Sequence, residues 1–280
     1  MHAEILTDLM KPTLIYLSIL CLFFTQIEAQ NSVIILEGNY QGKSLYVQNP
    51  FNSGGVGFCV TEVKVNGNIT TDETNSSAFE IDLKTHNLNI GEKVEVKIFH
   101  KDGCKPRVIN PEILKPRSSY EIVNMNIDND GTLKWTTKSE TGILTYIIEQ
   151  YRWNKWVKVG EIEGSGSNSI NEYSFKITPH SGKNQLRIKQ TDYTGQPRIS
   201  KPVDFVSDIA ESDFSPLKTS KEVNFISRTD SKPIETMYEI YDQYGNIVKK
   251  GYSSKVDVSN LPKGGYFINF DNKMGEFTKK

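Results

Sequence analysis

The residues that could carry redox or nucleophilic chemistry are few. The 280-residue sequence holds three cysteines and four histidines. In an exported chain Cys59 and Cys104 are candidate partners of a disulfide, and two buried free thiols are the alternative. The spacing from His100 to Cys104 would also suit a thiol nucleophile with its base, but the sequence shows no third group to orient the histidine. We therefore expect a candidate disulfide and no thiol catalysis.

Metal-binding patterns are weak in this sequence. No two of His86, His100 and His180 have metal-ligand spacing, and each is expected on the surface or in a loop. The run 128–131 (DNDG) resembles the start of a calcium loop, but Ser139 stands where the closing glutamate belongs. A turn is the better interpretation of that run. We expect no catalytic residue, no metal site and no cofactor.

Three aromatic residues are candidate interaction residues. Trp153 and Trp156 flank a predicted hairpin tip at 154–155, and exposed aromatic rings suit a protein interface or a sugar platform. The alternative is that both rings pack on their own sandwich. Phe58 follows the apolar glycine-rich run 54–57, which could enter a groove on a partner or permit a bulge at a sheet edge.

The elements that would position these residues are predicted to be strands. Apolar residues alternate with polar ones in segment after segment, which places them on one face of a pleated sheet. Examples are 58–65, 78–83, 93–99 and 173–177. No stretch beyond the N-terminal apolar run has a convincing helical period, so an all-β fold is expected. The net charge of −1 excludes the strongly basic surface of a nucleic-acid-binding protein.

The N-terminal segment is typical of a secretory signal peptide. The apolar run 13–24 is too short for a comfortable membrane span, follows Lys11 and precedes the small Ala29. A short anchor or a buried helix is the alternative. Residues 1–29 are therefore predicted to be a removable signal peptide, which would take Cys21 with it.

Turn-forming and proline-bearing stretches divide the rest of the chain. The stretch 105–117 and the Ser/Asp-rich stretch 207–220 both read as connections between compact units. We expect three consecutive small β-sandwich domains after the signal peptide. Their predicted limits are 30–117, 118–208 and 218–280.

The middle unit resembles a fibronectin type III module of exported Bacteroidota proteins. The resemblance spans about 90 residues and rests on the segments 131–135 (GTLKW), 146–151 (YIIEQY), 156–160 (WVKVG) and 184–195 (NQLRIKQTDYTG). It implies a seven-stranded sandwich, a fold that carries no chemistry of its own.

The last unit resembles the C-terminal sorting domain of type IX secretion cargo. The resemblance rests on 240–248 (IYDQYGNIV), 256–267 (VDVSNLPKGGYF) and the terminal strand 275–280 (GEFTKK). It implies a small β-sandwich that ends in a basic strand. Cargo domains commonly open with a Pro-Asn-Pro element, whereas 212–217 here reads SDFSPL. A resident protein of the same pathway is therefore an alternative.

Taken as a whole, the chain is similar to the plug subunit of the type IX secretion translocon. The resemblance implies a non-catalytic protein of the periplasm that blocks the periplasmic side of an outer-membrane pore. Its partner would be a large outer-membrane β-barrel, and the chain itself would not span the membrane. A secreted or cell-surface cargo or adhesin is the alternative function. A hydrolase or carbohydrate-binding module built on the first domain is a third hypothesis.

Overall fold

The computed structural model of the protein describes residues 32–280, which are built almost entirely of β-strands. The helical elements of this part are two short 3₁₀ helices, Leu83–His86 and Pro111–Leu114. The prediction of an all-β fold made of sandwiches is confirmed. The predicted signal peptide at 1–29, together with Cys21, lies outside the described residues.

The first seven strands form two sheets around one hydrophobic core. They are β1 (Ser32–Asn39), β2 (Leu45–Gln48), β3 (Val60–Val65), β4 (Asn68–Ile69), β5 (Ala78–Ile81), β6 (Lys93–His100) and β7 (Arg107–Val108). One sheet has the order β1-β6-β3-β4 and the other β5-β2-β7. The alternation read from the sequence places Val94, Val96 and Ile98 inside, against Leu45 and Val47 of the facing sheet. Full burial of each such side chain stabilises the fold by about 1.5–3 kcal/mol.

The next eight strands form the middle sandwich. They are β8 (Glu121–Ile127), β9 (Thr132–Lys138), β10 (Thr145–Arg152), β11 (Lys155–Glu163), β12 (Asn171–Lys176), β13 (Gly182–Thr191), β14 (Pro197–Ile199) and β15 (Val203–Ser207). One sheet is β12-β9-β8, and the other is β11-β10-β13, with both β14 and β15 paired to β13. The sandwich has eight strands where seven were expected. The reason is that the edge beside β13 is divided into two strands, β14 and β15. Trp135 and Tyr146 are buried between the sheets.

The last eight strands form a third sandwich that contains the C-terminus. They are β16 (Ser212–Ser215), β17 (Lys218–Thr219), β18 (Glu222–Ser227), β19 (Thr236–Tyr241), β20 (Ile247–Ser253), β21 (Lys255–Asp257), β22 (Gly264–Phe270) and β23 (Lys273–Lys279). The sheets are β16-β18-β21 and β17-β23-β22-β19-β20. The terminal strand β23 is thus inserted between two neighbours and contributes Phe277 to the core.

Three glycines bring the first and middle sandwiches into close contact. Gly91, Gly142 and Gly166 all have positive φ, at 89°, 125° and 71°. A Cβ on Gly166 would lie 2.6 Å from the main chain of Gly142, and one on Gly142 would lie 2.5 Å from Pro116. Only glycine permits both this backbone conformation and this approach.

Candidate functional site at the junction of the middle and C-terminal sandwiches

A two-residue turn carries one of the predicted interaction residues. Trp153 and Asn154 join β10 to β11, and both have positive φ, at 51° and 59°. Two successive positive φ values define the type I′ hairpin turn, whose twist matches that of the flanking strands. A hairpin is therefore present, but its two-residue tip is 153–154, one residue before the predicted tip at 154–155, so that Trp153 lies in the tip itself. A bulky residue is rarely found in this conformation, so its surroundings must hold Trp153 in place.

The surroundings of Trp153 belong to the C-terminal sandwich. The indole is buried, and its Nε1 donates to the main-chain oxygens of Asp271, 3.1 Å away, and Phe270, 3.4 Å away. The main-chain nitrogen of Trp153 donates to Oδ1 of Asn272 at 3.1 Å. Trp153 therefore is neither exposed nor packed on its own sandwich. Its ring contacts the C-terminal sandwich of the same chain and is not available to a partner.

Arg152, the neighbour of Trp153, is also enclosed in this contact. Its guanidinium donates to the main-chain oxygens of Asp271 at 3.2 Å and Thr178 at 2.6 Å, and to Oε1 of Gln150 at 2.7 Å. Burial lowers the pKa of Arg152 to about 10, so the group still carries its charge at neutral pH. A buried charge needs such partners, because burying an unpaired charge would greatly reduce the free energy of unfolding.

Asp271 provides the reciprocal contact from the C-terminal side. It lies in the turn between β22 and β23, with φ at 47° and the side chain buried. Its Oδ1 accepts from the main-chain nitrogen of Ser181 at 2.8 Å, and its Oδ2 accepts from the Ser181 hydroxyl at 2.5 Å. Oδ2 also accepts from the main-chain nitrogen of Ser212, 3.4 Å away at the start of β16. One carboxylate thus ties together both sandwiches and the end of their connection.

Lys155 extends the contact onto the outer face of the C-terminal sheet. Its Nζ donates to Oε2 of Glu239 at 2.6 Å and to the hydroxyl of Tyr241 at 2.7 Å. Burial alone would lower the pKa of Lys155, but the hydrogen bonds to Glu239 and Tyr241 outweigh it and raise the pKa above its ordinary value. The first residue of β11 is therefore fixed over β19.

His180 is buried in the loop before β13, where a surface or loop position was expected. Its main-chain nitrogen donates to Oδ1 of Asn184 at 3.0 Å, and the next residue, Ser181, contacts Asp271. Burial lowers the pKa of His180, and the charge of Arg152 acts in the same direction.

His100, at the end of β6, is also buried, with Nδ1 3.0 Å from the oxygen of Lys101. The expectation of a surface or loop position was wrong for His100, which ends a strand, whereas His180 does lie in a loop. Local sequence does not reveal that both side chains are buried.

Trp156 lies near the junction but only half buried. The Arg187 guanidinium is centred 4.1 Å from the ring, and Tyr151 packs edge-on at 5.3 Å. Arg187 is held by Glu149 at 2.7 Å. Burial alone would raise the pKa of Glu149, but hydrogen bonds from Lys189 and Arg187 leave it below its ordinary value. One ring face of Trp156 is therefore covered by a cation.

Phe58 and the two cysteines lie together in the first sandwich, away from this junction. Phe51 and Phe58 bridge the base of the glycine-rich loop, with ring centroids 5.5 Å apart. Val56, at the tip, is almost fully exposed. Next to Phe58, Cys59 forms a disulfide with Cys104, the Cα atoms lying 5.6 Å apart.

No cluster of three or more metal-ligating side chains occurs within residues 32–280. The run 128–131 forms a turn, in which Asp128 and Asp130 pair with Lys134 and Lys176. In the described part of the chain, no helix is both long and apolar enough to cross a membrane.

The donors of Arg152, Trp153 and Lys155 named above are bonded within the chain, whereas Nε2 of His180 and the Ser212 hydroxyl are buried without a partner. The bonded groups hold the two units together.

Comparison with known proteins identifies the class of the C-terminal unit. The family model of a secretion system C-terminal sorting domain matches residues 216–280. The segment that forms β17–β23 is therefore similar to secretion system sorting domains. No curated protein matches the sequence.

Solved structures of modular β-proteins are also similar to the chain. The chicken CNTN1 FN1–FN3 domains share 14% identity, with coverage of 90% of this chain and 96% of that one and a TM-score of 0.25. A tetra-tandem repeat from the extending region of a large adhesion protein shares 10% identity, with coverage of 89% and 72% and a TM-score of 0.30. Clostridium thermocellum CbhA fibronectin(III)-like modules share 10%, with coverage of 57% and 92% and a TM-score of 0.20.

Sequence reasoning missed Asp271 and Ser181. Both lie in polar turns, which the sequence marks as turns but not as contacts. A signal was nevertheless present at Trp153, because a large aromatic residue beside a predicted two-residue turn calls for a partner.

Proposed function

We propose that the protein is a cargo of a type IX secretion pathway, delivered to the cell surface or the medium as a non-catalytic β-sandwich protein. The observation that supports this most directly is the sorting-domain match at 216–280. The matched segment contains β17–β23, and the terminal strand β23 is inserted between β17 and β22. A sorting domain folded in this way presents a defined surface to an export apparatus.

The cargo function replaces the plug subunit as the favoured interpretation. A plug would stay on the periplasmic side, bound to an outer-membrane β-barrel, whereas the matching family is described by its sorting role. The two functions predict opposite locations for the intact chain, which makes them separable by experiment.

We further propose that the exported protein works by binding other molecules through three rigidly connected units, 30–117, 118–208 and 218–280. Three separate core clusters within residues 32–280 support this division. Phe58, with the exposed loop before it, and Trp156 remain candidate interaction residues. Trp153 has an internal role instead, since its ring is enclosed by Phe270 and Asp271.

The proposed location is tested with the full chain in a host that has the pathway. Protease added to intact cells should digest the protein, and antibody should label the cell surface or detect the protein in the medium. Full protection from protease, with intact chain recovered from the periplasm, would overturn the cargo function and favour the plug.

A further inference from the structure

A groove of about 600 Å³ lies where β11 passes beside β19 and β20. Its walls come from two units, because β11 belongs to the middle sandwich and the other two strands to the C-terminal one. The side chains that matter are three apolar or aromatic ones and four charged ones: Trp156, Met237, Tyr252, Lys155, Lys158, Lys250 and Glu239. The groove therefore exists only while the junction holds both units together.

The register of the C-terminal sheet explains the character of one wall. Met237 lies opposite Tyr252, and Glu239 lies opposite Lys250, so these four side chains project from the same face. Glu239 and the ammonium group of Lys155 are bonded to each other on that face. Tyr252 is half exposed, which leaves an aromatic surface accessible beside the lysines.

The charges that remain available in the groove are positive. Glu239 is buried and already satisfied by Lys155 and Tyr241. Lys250 is exposed, and Lys158 makes an exposed ion pair with Glu161. Exposed pairs of this kind contribute little to stability, so Lys158 is free to exchange its partner for another carboxylate. The groove thus complements an acidic ligand.

Both bordering sheets end at this groove. Within residues 32–280, β11 pairs with β10 alone and β20 pairs with β19 alone. Each therefore has one row of main-chain groups without a neighbouring strand. An extended peptide can pair with such a row, whereas a sugar or an acyl chain cannot do so in a regular way.

We propose that this groove is the docking site of an extended acidic peptide segment of a partner protein. The peptide adds a strand to the free edge of β11. Its apolar side chains contact Trp156, Met237 and Tyr252, and its carboxylates lie beside Lys158 and Lys250. This inference does not depend on the route of export. The alternative is that the lysines serve only to prevent edge-to-edge aggregation, as lysines on edge strands often do. In that case the groove would bind no ligand.

The test is calorimetric titration of the full chain at low salt with a capped peptide about eight residues long, in which Val and Glu follow one another along one strand face and Ser fills every second position (Val-Ser-Glu-Ser, repeated). Matched probes are the same peptide with Lys for Glu, the same peptide with alternate amides N-methylated, and polygalacturonate. We expect the acidic peptide to bind and the other three to bind much more weakly. The N-methylated peptide reports on strand addition, and polygalacturonate reports on attraction of any polyanion.

Variants locate the binding. Lys158→Glu with Lys250→Glu should weaken binding of the acidic peptide about tenfold or more, since a like charge now faces each carboxylate. Lys138→Glu with Lys183→Glu is the matched control at exposed lysines outside the groove, and it should change the affinity little. The proposal is overturned if the acidic peptide does not bind, if N-methylation leaves its affinity unchanged, if polygalacturonate binds as tightly, or if both double variants behave alike.

Discussion

The indole nitrogen of Trp153 donates a hydrogen bond to the main-chain oxygen of Asp271, 3.1 Å away and 118 residues further along the chain. The carboxylate of Asp271 in turn accepts two hydrogen bonds from Ser181. A turn of the middle sandwich and a turn of the C-terminal sandwich are therefore bound to each other reciprocally. Because hydrogen bonds are directional, they fix how the two sandwiches are oriented relative to each other. Apolar contact alone would not do so.

Asp271→Ala should destabilise the protein through the junction. It removes the acceptors of the Ser181 nitrogen and hydroxyl and of the Ser212 nitrogen. Leaving buried donors without partners costs about 1–3 kcal/mol, so the free energy of unfolding should fall by that amount in denaturant titration. Asp271→Asn should lose less, because it keeps one oxygen and tolerates positive φ.

The control for this loss is Asp204→Ala. Asp204, which lies on β15, forms an exposed ion pair with Lys183. Such pairs contribute at most about 1 kcal/mol to the free energy of unfolding. Equal losses in Asp204→Ala and Asp271→Ala would mean that Asp271 has no special role at the junction.

Stability should fall as the pH falls below the ordinary pKa of histidine. Burial lowers the pKa of His180 below 6.5 in the folded chain, so the unfolded chain takes up the proton first. The contribution of neutral His180 is complete above pH 6.5 and is lost as the pH falls from 6.5 toward the lower folded pKa. The groups that face it are Arg152, which opposes protonation, and Asp271, which favours it.

Unfolding curves of His180→Gln measured across this pH range should show a smaller decline than those of the parent chain. His86→Gln, in the first sandwich, is the matched substitution and should keep the decline of the parent. If the free energy of unfolding declines equally in His180→Gln and the parent, then groups other than His180 cause the pH dependence.

Gly166→Ala should disturb the main-chain packing within the middle sandwich. The added Cβ would lie 2.6 Å from main-chain atoms of Gly142 and Ile143, at a φ of 71°. Gly195→Ala has a similar φ of 77° but meets no atom within 4 Å, so it isolates the backbone strain from the clash. Overpacking costs about 1–3 kcal/mol, and thermal unfolding should show Gly166→Ala less stable than Gly195→Ala by that amount. Equal melting temperatures would show that the close approach is relaxed in solution.

Reduction should destabilise the first sandwich. Cys59 and Cys104 are separated by 45 residues, and a loop of that length restricts the unfolded chain by about 3–4 kcal/mol in the entropy model. Cys59→Ser with Cys104→Ser should lower the free energy of unfolding accordingly. Mass spectrometry of the exported chain should show the two thiols oxidised to one disulfide. Two alkylatable thiols in that chain would contradict the pairing.

Local alternation was sufficient to predict the strands. The run 93–99 predicted β6, and the run 173–177 predicted most of β12. Asn66-Gly67, a pair with turn-forming composition, joins β3 to β4 with positive φ at both residues. Side-chain period and turn chemistry are properties of neighbours in sequence, so they can be read before the fold is known.

The junction could not be predicted in this way. Trp153 and Asp271 meet because two separately folded sandwiches pack together, and nothing in either local sequence identifies the other. His180 has the sequence of an exposed turn, yet its side chain is buried in the folded chain. The groove beside Trp156 likewise depends on the position of β20, which no pattern within β11 encodes.

The most direct test of the proposed function compares the full chain in two hosts, one with an intact type IX pathway and one lacking only its outer-membrane pore. If the protein is cargo, it should reach the surface or the medium in the first host and accumulate in the periplasm of the second. If it remains in the periplasm of both hosts with residues 216–280 retained, the cargo function is contradicted.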